Sequence, residues 1–583
     1  MKKVAIVGSG IAGISLSIRL SRLGYKVDVY EKNSYPGGKL TTIKSGQYSF
    51  DAGPQLFTMP NYVDELFEIC NEDPRDYFNY KKKKIGCKYF WEDGLELNAY
   101  SEREKFLEEV KIKLNVEEKI LNDYLEKAKK KYDLSNKIVL EKSLHKLSTF
   151  LSKDTLKAVL NFKIFEFFKT LASVNENQLK EDHLVQFYNR FATYIGSSPF
   201  KTSGIMTVIQ HLETHYGTFF PEGGLRTITK VLVDLAKRNK VNFIYNTEVT
   251  EILYENNVVN GVKIDGNSKK YYDIVISNMD VFFTYEKLLK KIKTPYRVKN
   301  VKSSSSALIF YWGVNKVFKS LELHNIFFSK NYKKEFQSIF KEMNFCEDPT
   351  IYLSITSKDN KSDAPVGCEN WYVMINTHHD VGHDWNDLAR RYKKIIIKKI
   401  EKVLGQPIEE NIISEKTLSP LNIQERTQSY RGALYGPSSN QTFSAFHRHP
   451  NFTNKLKKLY FCGGSVHPGG GIPMCLLSSK IVSELISSEN NFSPVEDHFS
   501  SAICATSEGV MPSTSLQSSK EPSCMKHIAE TVSPESESGD LFQRRLPFES
   551  RTFTFPSSSA TATPVPSLAT AIKISSPDEN RPR

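Results

Sequence analysis

The residues best placed to do chemistry in this chain are glycines. Gly8, Gly10 and Gly13 stand in V-A-I-V-G-S-G-I-A-G, where a short apolar strand gives way to a helix. Backbone can approach a ligand closely there, and the amides and dipole of the turn, with Ser9, Ile11 and Ala12 between the glycines, can hold a pyrophosphate. Glu31, with Lys32 beside it, follows 18 residues after Gly13, where a carboxylate ending the next strand can accept hydrogen bonds from ribose hydroxyls. Pro36-Gly37-Gly38-Lys39 then offers a second close approach to phosphates, and Lys39 adds positive charge. Phe50-Asp51-Ala52-Gly53-Pro54 forms a tight turn that suits the flank of a cofactor ring. About 450 residues beyond the first glycines comes C-G-G-S-V-H-P-G-G-G-I-P, in which Gly463, Gly464, Gly471, Ile472 and Pro473 lead into another helical stretch. A nicotinamide site needs only the first segment. A large cofactor clamped at both ends and never released, such as FAD, gives a use for both. Amides at that second helix start would stabilise negative charge developing on a reduced flavin ring.

The elements needed to position these residues are legible. Val4–Val7 reads as a buried parallel strand, Ile11–Leu23 as a helix capped by Gly24, and Val27–Tyr30 as a second strand. This β-α-β unit is the context a glycine fingerprint requires. Residues 100–220 are helix-like and rich in Lys, Leu and Phe. Glu222-Gly-Gly-Leu-Arg226 opens a helix ending near Arg238, and short strands follow at Asn242–Tyr245, Val249–Tyr254, Val258–Ile264 and Ile274–Ser277. From 300 to 415, strands at Ala307–Gly313, Thr350–Ile355 and Trp371–Ile375 alternate with a helix over Trp385–Leu404, and a last helix covers Met474–Ser487. The predicted class is α/β: a Rossmann-type cofactor domain with a parallel sheet, assembled from 1–100, 220–295 and 415–490, plus an α+β substrate domain with a mixed sheet from 100–220 and 295–415. Residues 493–583 are rich in Ser, Pro and Thr and poor in large apolar side chains, so they read as a disordered tail.

Bulk properties narrow the function. At 583 residues the chain exceeds one ordinary core, and its 39% hydrophobic and 12% aromatic content suits an enzyme. The net charge of +13 comes mostly from Lys runs such as Lys81–Lys84 and Lys129–Lys131, which read as a solvated face or as attraction to an anionic membrane surface. No nucleic-acid-binding signature is present. The eight Cys show no C-x-x-C spacing, which points to reduced thiols in a cytoplasmic protein and not to a metal site. The glycine fingerprint begins inside what would be the apolar part of a signal peptide, and no run of about 18 apolar residues would span a bilayer. His378, His379 and His383 form H-H-x-x-x-H, but Gly382 interrupts the helix a zinc pair would need, so no metal is expected.

Taken together, G-S-G-I-A-G, E-K-N-S-Y-P-G-G-K, F-D-A-G-P, E-G-G-L, D-I-V-I-S-N-M-D (Asp273–Asp280) and C-G-G-S-V-H-P-G-G-G-I-P resemble the FAD-dependent amine-oxidase-type superfamily. Within it the chain resembles the carotenoid desaturases of the bacterial phytoene desaturase type, over roughly residues 1–490. The stretch Asp51–Phe67 is similar to the branch acting on hydroxylated carotenoids at the 3,4 bond. The resemblance implies FAD as cofactor and a backbone contact from Val249 to its adenine. It implies removal of two hydrogens from a carbon pair beside a polyene, with electrons passing on to a quinone or oxygen. It assigns no catalytic base: the cation left on the polyene makes the neighbouring proton acidic enough for a weak base or water. Three alternatives share the scaffold: a carotenoid cis–trans isomerase, a flavin amine oxidase, and a non-enzymatic escort of prenylated proteins. A carotenoid substrate lives in the bilayer, so the chain would be a cytoplasmic protein bound peripherally to the membrane surface. Leu156–Leu171 is the candidate contact, with Leu156, Leu160, Ile164, Phe167, Phe168 and Leu171 on an apolar stripe and Lys157, Lys163 and Lys169 facing phosphates; the alternative is an ordinary buried helix of the substrate domain.

Overall fold

The computed structural model describes residues 1–490, which belong to one compact unit; the stretch 493–583 read as a disordered tail lies outside the described residues. The first strand, Lys3–Val7, is buried on both faces, as a central strand of a parallel sheet must be. It pairs in parallel with Lys26–Tyr30 on one side and Ile274–Ser277 on the other. Asn242–Ile244 and Leu459–Phe461 close the two edges, so three distant parts of the chain supply one five-stranded parallel sheet. Side chains alternate between its faces. Val4 and Ile6 join a core with the helices Ile11–Arg22, Arg226–Arg238 and Ile472–Asn490, whereas Ala5 and Val7 pack against the antiparallel sheet Val249–Glu255, Val258–Ile264 and Ser268–Tyr271. Ile14, Leu16, Ile18 and Leu20 of the first helix are fully buried, each contributing about 1.5–3 kcal/mol. That helix ends where expected: Gly24 takes φ +80° and donates its N–H to the Ser21 carbonyl at 3.0 Å.

A second sheet has seven strands in the order Ile412–Leu418, Ser306–Val314, Glu369–Thr377, Ile351–Ser354, His324–Phe327, Ile85–Phe90 and Glu96–Tyr100. All neighbours are antiparallel except His324–Phe327 with Ile85–Phe90. Two of its strands therefore come from inside the first hundred residues, ahead of the boundary expected for that part. One face buries Leu308, Phe310 and Trp312 under the helix Trp385–Leu404; the other carries Tyr311 and Tyr372 against Phe50. The helical stretch between 100 and 220 is built around Arg103–Leu114 and Glu118–Val139.

Leu156–Leu171 is not one helix. Lys153–Leu160 ends at Asn161, Phe162–Phe165 forms a single tight turn, and Glu166 takes φ +51°, which halts the helix; Leu171 opens the next helix and is buried. The apolar residues nonetheless share a surface. Leu156, Leu160 and Phe168 are 62%, 78% and 77% exposed, and Phe168 meets Phe162 and Phe443 with ring centroids 6.2 Å from each.

Candidate functional site

The first glycine turn is fixed by close approach. Gly8 takes φ +97° and donates to the Tyr30 carbonyl at 2.8 Å, and a Cβ on Gly13 would fall 2.5 Å from the Gly8 carbonyl oxygen. Gly10 is the N-cap of the helix Ile11–Arg22, with no side-chain cap and no acidic residue in the first turn. The leading amides, at Ile11, Ala12 and Gly13, are thus left for an external anion. Glu31 is buried beside this turn. One carboxylate oxygen accepts from the Ser9 N–H at 3.0 Å and its hydroxyl at 2.9 Å, and the other accepts from Asn33. Its backbone donates to Ile244 at 2.9 Å and accepts from Thr247 at 3.0 Å, which sets Val249, buried at its strand start, close by.

The other predicted turns stack on this one. Gly37, at φ +104°, donates to the Ser9 carbonyl at 2.8 Å, and a Cβ on Gly53 would fall 2.4 Å from the Lys39 carbonyl oxygen. So Gly37 and Gly38 lie over the first turn, and Gly53, followed by Pro54, packs on the Lys39 backbone behind them. Lys39 turns its amino group to the Leu434 and Ala433 carbonyls, at 2.8 and 3.3 Å, and burial lowers its pKa. Lys32 reaches the Glu425 carbonyl at 3.1 Å. At the far end of the chain Cys462 donates to the Ser277 carbonyl at 3.0 Å. Gly463 takes φ +107°, Gly464 packs on Gly470, and Gly471 at φ +109° leads into Ile472 and Pro473, which start the last helix. His467 in this loop bonds the Lys142 carbonyl at 2.9 Å.

Asn278 joins the two ends. Its side-chain N–H groups donate to the Gly8 and Gly10 carbonyls, at 3.1 and 3.3 Å, while a Cβ on Gly463 would fall 2.8 Å from its Oδ1. The sequence contains it in D-I-V-I-S-N-M-D, and its place directly after a strand of the parallel sheet was the available signal. Asp51 was likewise not singled out. It is buried, accepts from the backbone N–H groups of Leu225 and Arg226 at 2.9 and 3.0 Å, and so anchors the turn before Gly53 to the start of the helix Arg226–Arg238. Arg226 also pairs with Asp363. Burial raises the Asp51 pKa, with Arg226 opposing. The thiols of Cys462 and Cys475 are both pushed up by burial, Cys475 to about 11, which keeps them protonated at neutral pH.

Beside the distal loop lies a cavity of about 290 Å³. Its wall includes Asp280, two residues after Asn278, and Ser465, directly after Gly464; the Ser465 hydroxyl accepts from the Val281 N–H at 3.0 Å. Arg448, 5% exposed, also lines it. Sequence spacing gave no sign of Arg448.

A parallel sheet whose uncapped helix start meets glycine turns from both ends of the folded chain defines a dinucleotide-binding fold. The chain belongs to the family of flavin containing amine oxidoreductases, whose model matches residues 11–487, and its cofactor is FAD. It is 48% identical over 490 residues to a 1-hydroxycarotenoid 3,4-desaturase of Flavobacterium sp. (strain P99-3), covering 84% of this chain and 100% of that protein. It is 30% identical over 492 residues to a 4,4'-diaponeurosporene oxygenase of Staphylococcus aureus (strain MRSA252), covering 83% and 98% of the two chains. The solved structure of an oxidoreductase from Methanosarcina mazei shares the fold, with a TM-score of 0.55 at 14% identity over 83% of this chain and 100% of that one.

Proposed function

We propose that this chain is an FAD-dependent carotenoid desaturase of the hydroxycarotenoid 3,4-desaturase branch. The observation that carries the reading is 48% identity along the whole length of the Flavobacterium enzyme, in a chain whose glycine turns converge on Asn278. FAD, when bound, supplies the two-electron acceptor for removing two hydrogens from a saturated carbon pair beside a polyene. The chain's own residues bind and shield. In this reading the amides of Ile11–Gly13 and Gly37–Gly38 hold the diphosphate, Glu31 exchanges its Ser9 bonds for ribose hydroxyls, and Val249 meets the adenine through its backbone. Gly53, Pro54, Gly463, Gly464 and the Gly471–Pro473 helix start flank the flavin. Segments 1–84, 220–295 and 419–490 form the cofactor part, and 85–220 with 295–418, which supply the seven-stranded sheet, cover the substrate and exclude water. No side chain is assigned as a base. Electrons leave to a quinone or oxygen.

The substrate reaches the site from a bilayer. The described residues contain no helix long and apolar enough to cross a membrane. The exposed patch of Leu156, Leu160, Phe162, Phe168 and Phe443, edged by the exposed Lys157 and Lys163, is the surface that rests on it. Expression in a host that makes hydroxylated acyclic carotenoids tests the function. A red-shifted extracted pigment, with anaerobic flavin bleaching by the purified substrate, supports desaturation. A geometric isomer without bleaching points to the isomerase, and peroxide release from small amines to the amine oxidase.

A further inference from the structure

Arg448 is a buried charge without a counter-charge. Among the described residues no carboxylate forms an ion pair with it. Its guanidinium donates only to main-chain carbonyls: Pro437 at 3.0 Å, Tyr435 at 3.2 Å and Gly464 at 3.4 Å. Burial holds its pKa down at about 10. A guanidinium offers five N–H donors in a fixed plane, and a buried one is costly unless those donors find electron-rich partners.

The cavity it lines supplies the context. Val298, Val301 and Phe446 make much of the wall apolar, and Arg297, Arg448 and Asp280 contribute charged groups. The Asp280 carboxylate is already taken by the backbone N–H groups of Phe282 and Tyr430, at 2.9 and 3.3 Å. Of the two arginines on the wall Arg297 is exposed and Arg448 buried, and the three carbonyl bonds of Arg448 use three of the five N–H groups of its guanidinium. At the rim Phe446 is 39% exposed and meets Phe443, 6.3 Å away between ring centroids, which belongs to the exposed apolar patch. The cavity therefore connects a lipid-facing surface to the two segments, Asn278–Asp280 and Gly463–Ser465, that meet beside the cofactor turns.

We propose that this cavity is the subsite for the oxygenated end group of the polyene, with Arg448 donating a hydrogen bond to its hydroxyl oxygen and so selecting hydroxylated over unhydroxylated substrate. The inference rests on the functional reading above and deepens it. In a 1-hydroxy, 3,4-unsaturated product only one carbon separates the hydroxyl-bearing carbon from the new double bond. A subsite for that hydroxyl must therefore border the cofactor loops, and this cavity does. An apolar end group would desolvate the remaining N–H groups of Arg448 without offering them an acceptor, and sites built to hydrogen-bond a hydroxyl discriminate strongly against analogues lacking it.

The test uses the FAD-loaded full chain under anaerobic conditions, with a 1-hydroxylated acyclic carotenoid and the same carotenoid without oxygen, and follows flavin bleaching. We expect the wild type to favour the hydroxylated substrate by about 100-fold or more in kcat/KM. Arg448→Met should reduce that preference to within about 5-fold, chiefly through KM for the hydroxylated substrate, and Arg448→Lys should restore part of it. Equal losses on both substrates in Arg448→Met would mark a structural role and overturn the proposal, as would an unchanged preference. Should Arg448→Met fail to hold FAD, Val301→Trp gives the second reading. It narrows the cavity without touching the cofactor turns, and must raise KM for the hydroxylated substrate about tenfold or more; an unchanged KM overturns the subsite. If the wild type bleaches with neither polyene, the functional reading falls and this one with it. If it bleaches with the hydroxylated polyene but the variants behave as wild type, only the subsite falls.

Discussion

The side-chain amide of Asn278 donates to the Gly8 carbonyl at 3.1 Å, and its Oδ1 lies where a Cβ on Gly463 would intrude, at 2.8 Å. One short side chain thus sets the spacing between the first and last glycine turns of the folded chain. Asn278→Leu removes the donors and leaves the Gly8 and Gly10 carbonyls without that partner. A lost buried hydrogen bond costs about 1–3 kcal/mol, so FAD affinity should drop on the order of tenfold to a hundredfold. The ratio of flavin to protein absorbance after gel filtration reads this directly; a full complement of flavin in the variant refutes the role.

Gly13 inside the first helix and Gly24 just past its end separate cofactor binding from stability. A Cβ on Gly13 would sit 2.5 Å from the Gly8 carbonyl oxygen and 2.7 Å from Asn278 Nδ2, so Gly13→Ala must displace the turn and should purify with less than about a tenth of the wild-type flavin. Gly24 has open space around it and needs only its φ of +80°. Gly24→Ala should keep its flavin and lose about 1 kcal/mol of stability in a denaturant titration.

The parts legible in the sequence were those with a fixed spacing. The β-α-β unit came through because Gly8, Gly10 and Gly13 can serve only a strand-to-helix turn, and the helix Trp385–Leu404 because its apolar residues keep a helical period between Asp384 and Gly405. The expected surface helix failed for a local reason: Glu166 adopts a left-handed conformation that apolar periodicity does not encode, where its carboxylate pairs with the buried Lys131 at 2.8 Å. Asn278 and Arg448 act through neighbours more than ten residues away, Gly8 and Pro437 among them. Spacing along the chain carries no trace of such contacts until the sheet order is known.

A clasp between the first helix, the last helix and the short helix Asn61–Glu68 makes stability depend on pH. Glu65 pairs with Arg19 of the first helix and Lys480 of the last, each at 3.0 Å. Burial alone would raise its pKa, but the two cations outweigh this and hold the carboxyl below its ordinary value of 4.5. A carboxyl lowered in the folded state contributes stability that is complete above the ordinary value and is lost as pH falls through the folded one. Glu65→Gln should therefore cost about 2 kcal/mol at pH 7, and the gap should narrow as the pH falls below the ordinary value of 4.5. Parallel melting curves from pH 3.5 to 8 check the sign; a gap that widens toward acid contradicts it.

The exposed apolar patch proposed as the membrane contact can be tested apart from catalysis because its side chains contribute little to the core. Leu156, Leu160 and Phe168 are mostly exposed, so replacing all three with Asp removes apolar area from the surface without opening a cavity, and the melting temperature should hold. Binding to vesicles is a different matter. Each large apolar group that enters the interface contributes about 1–2 kcal/mol, and each added carboxylate is repelled by anionic lipid. The triple variant should lose about 100-fold or more in co-flotation with vesicles containing anionic phospholipid. Lys157→Gln with Lys163→Gln should weaken binding to anionic vesicles while barely changing binding to neutral ones, since each Lys near such a surface contributes about 1 kcal/mol. If the triple variant floats as well as wild type, this patch is not the membrane contact, and the substrate must arrive over a different surface.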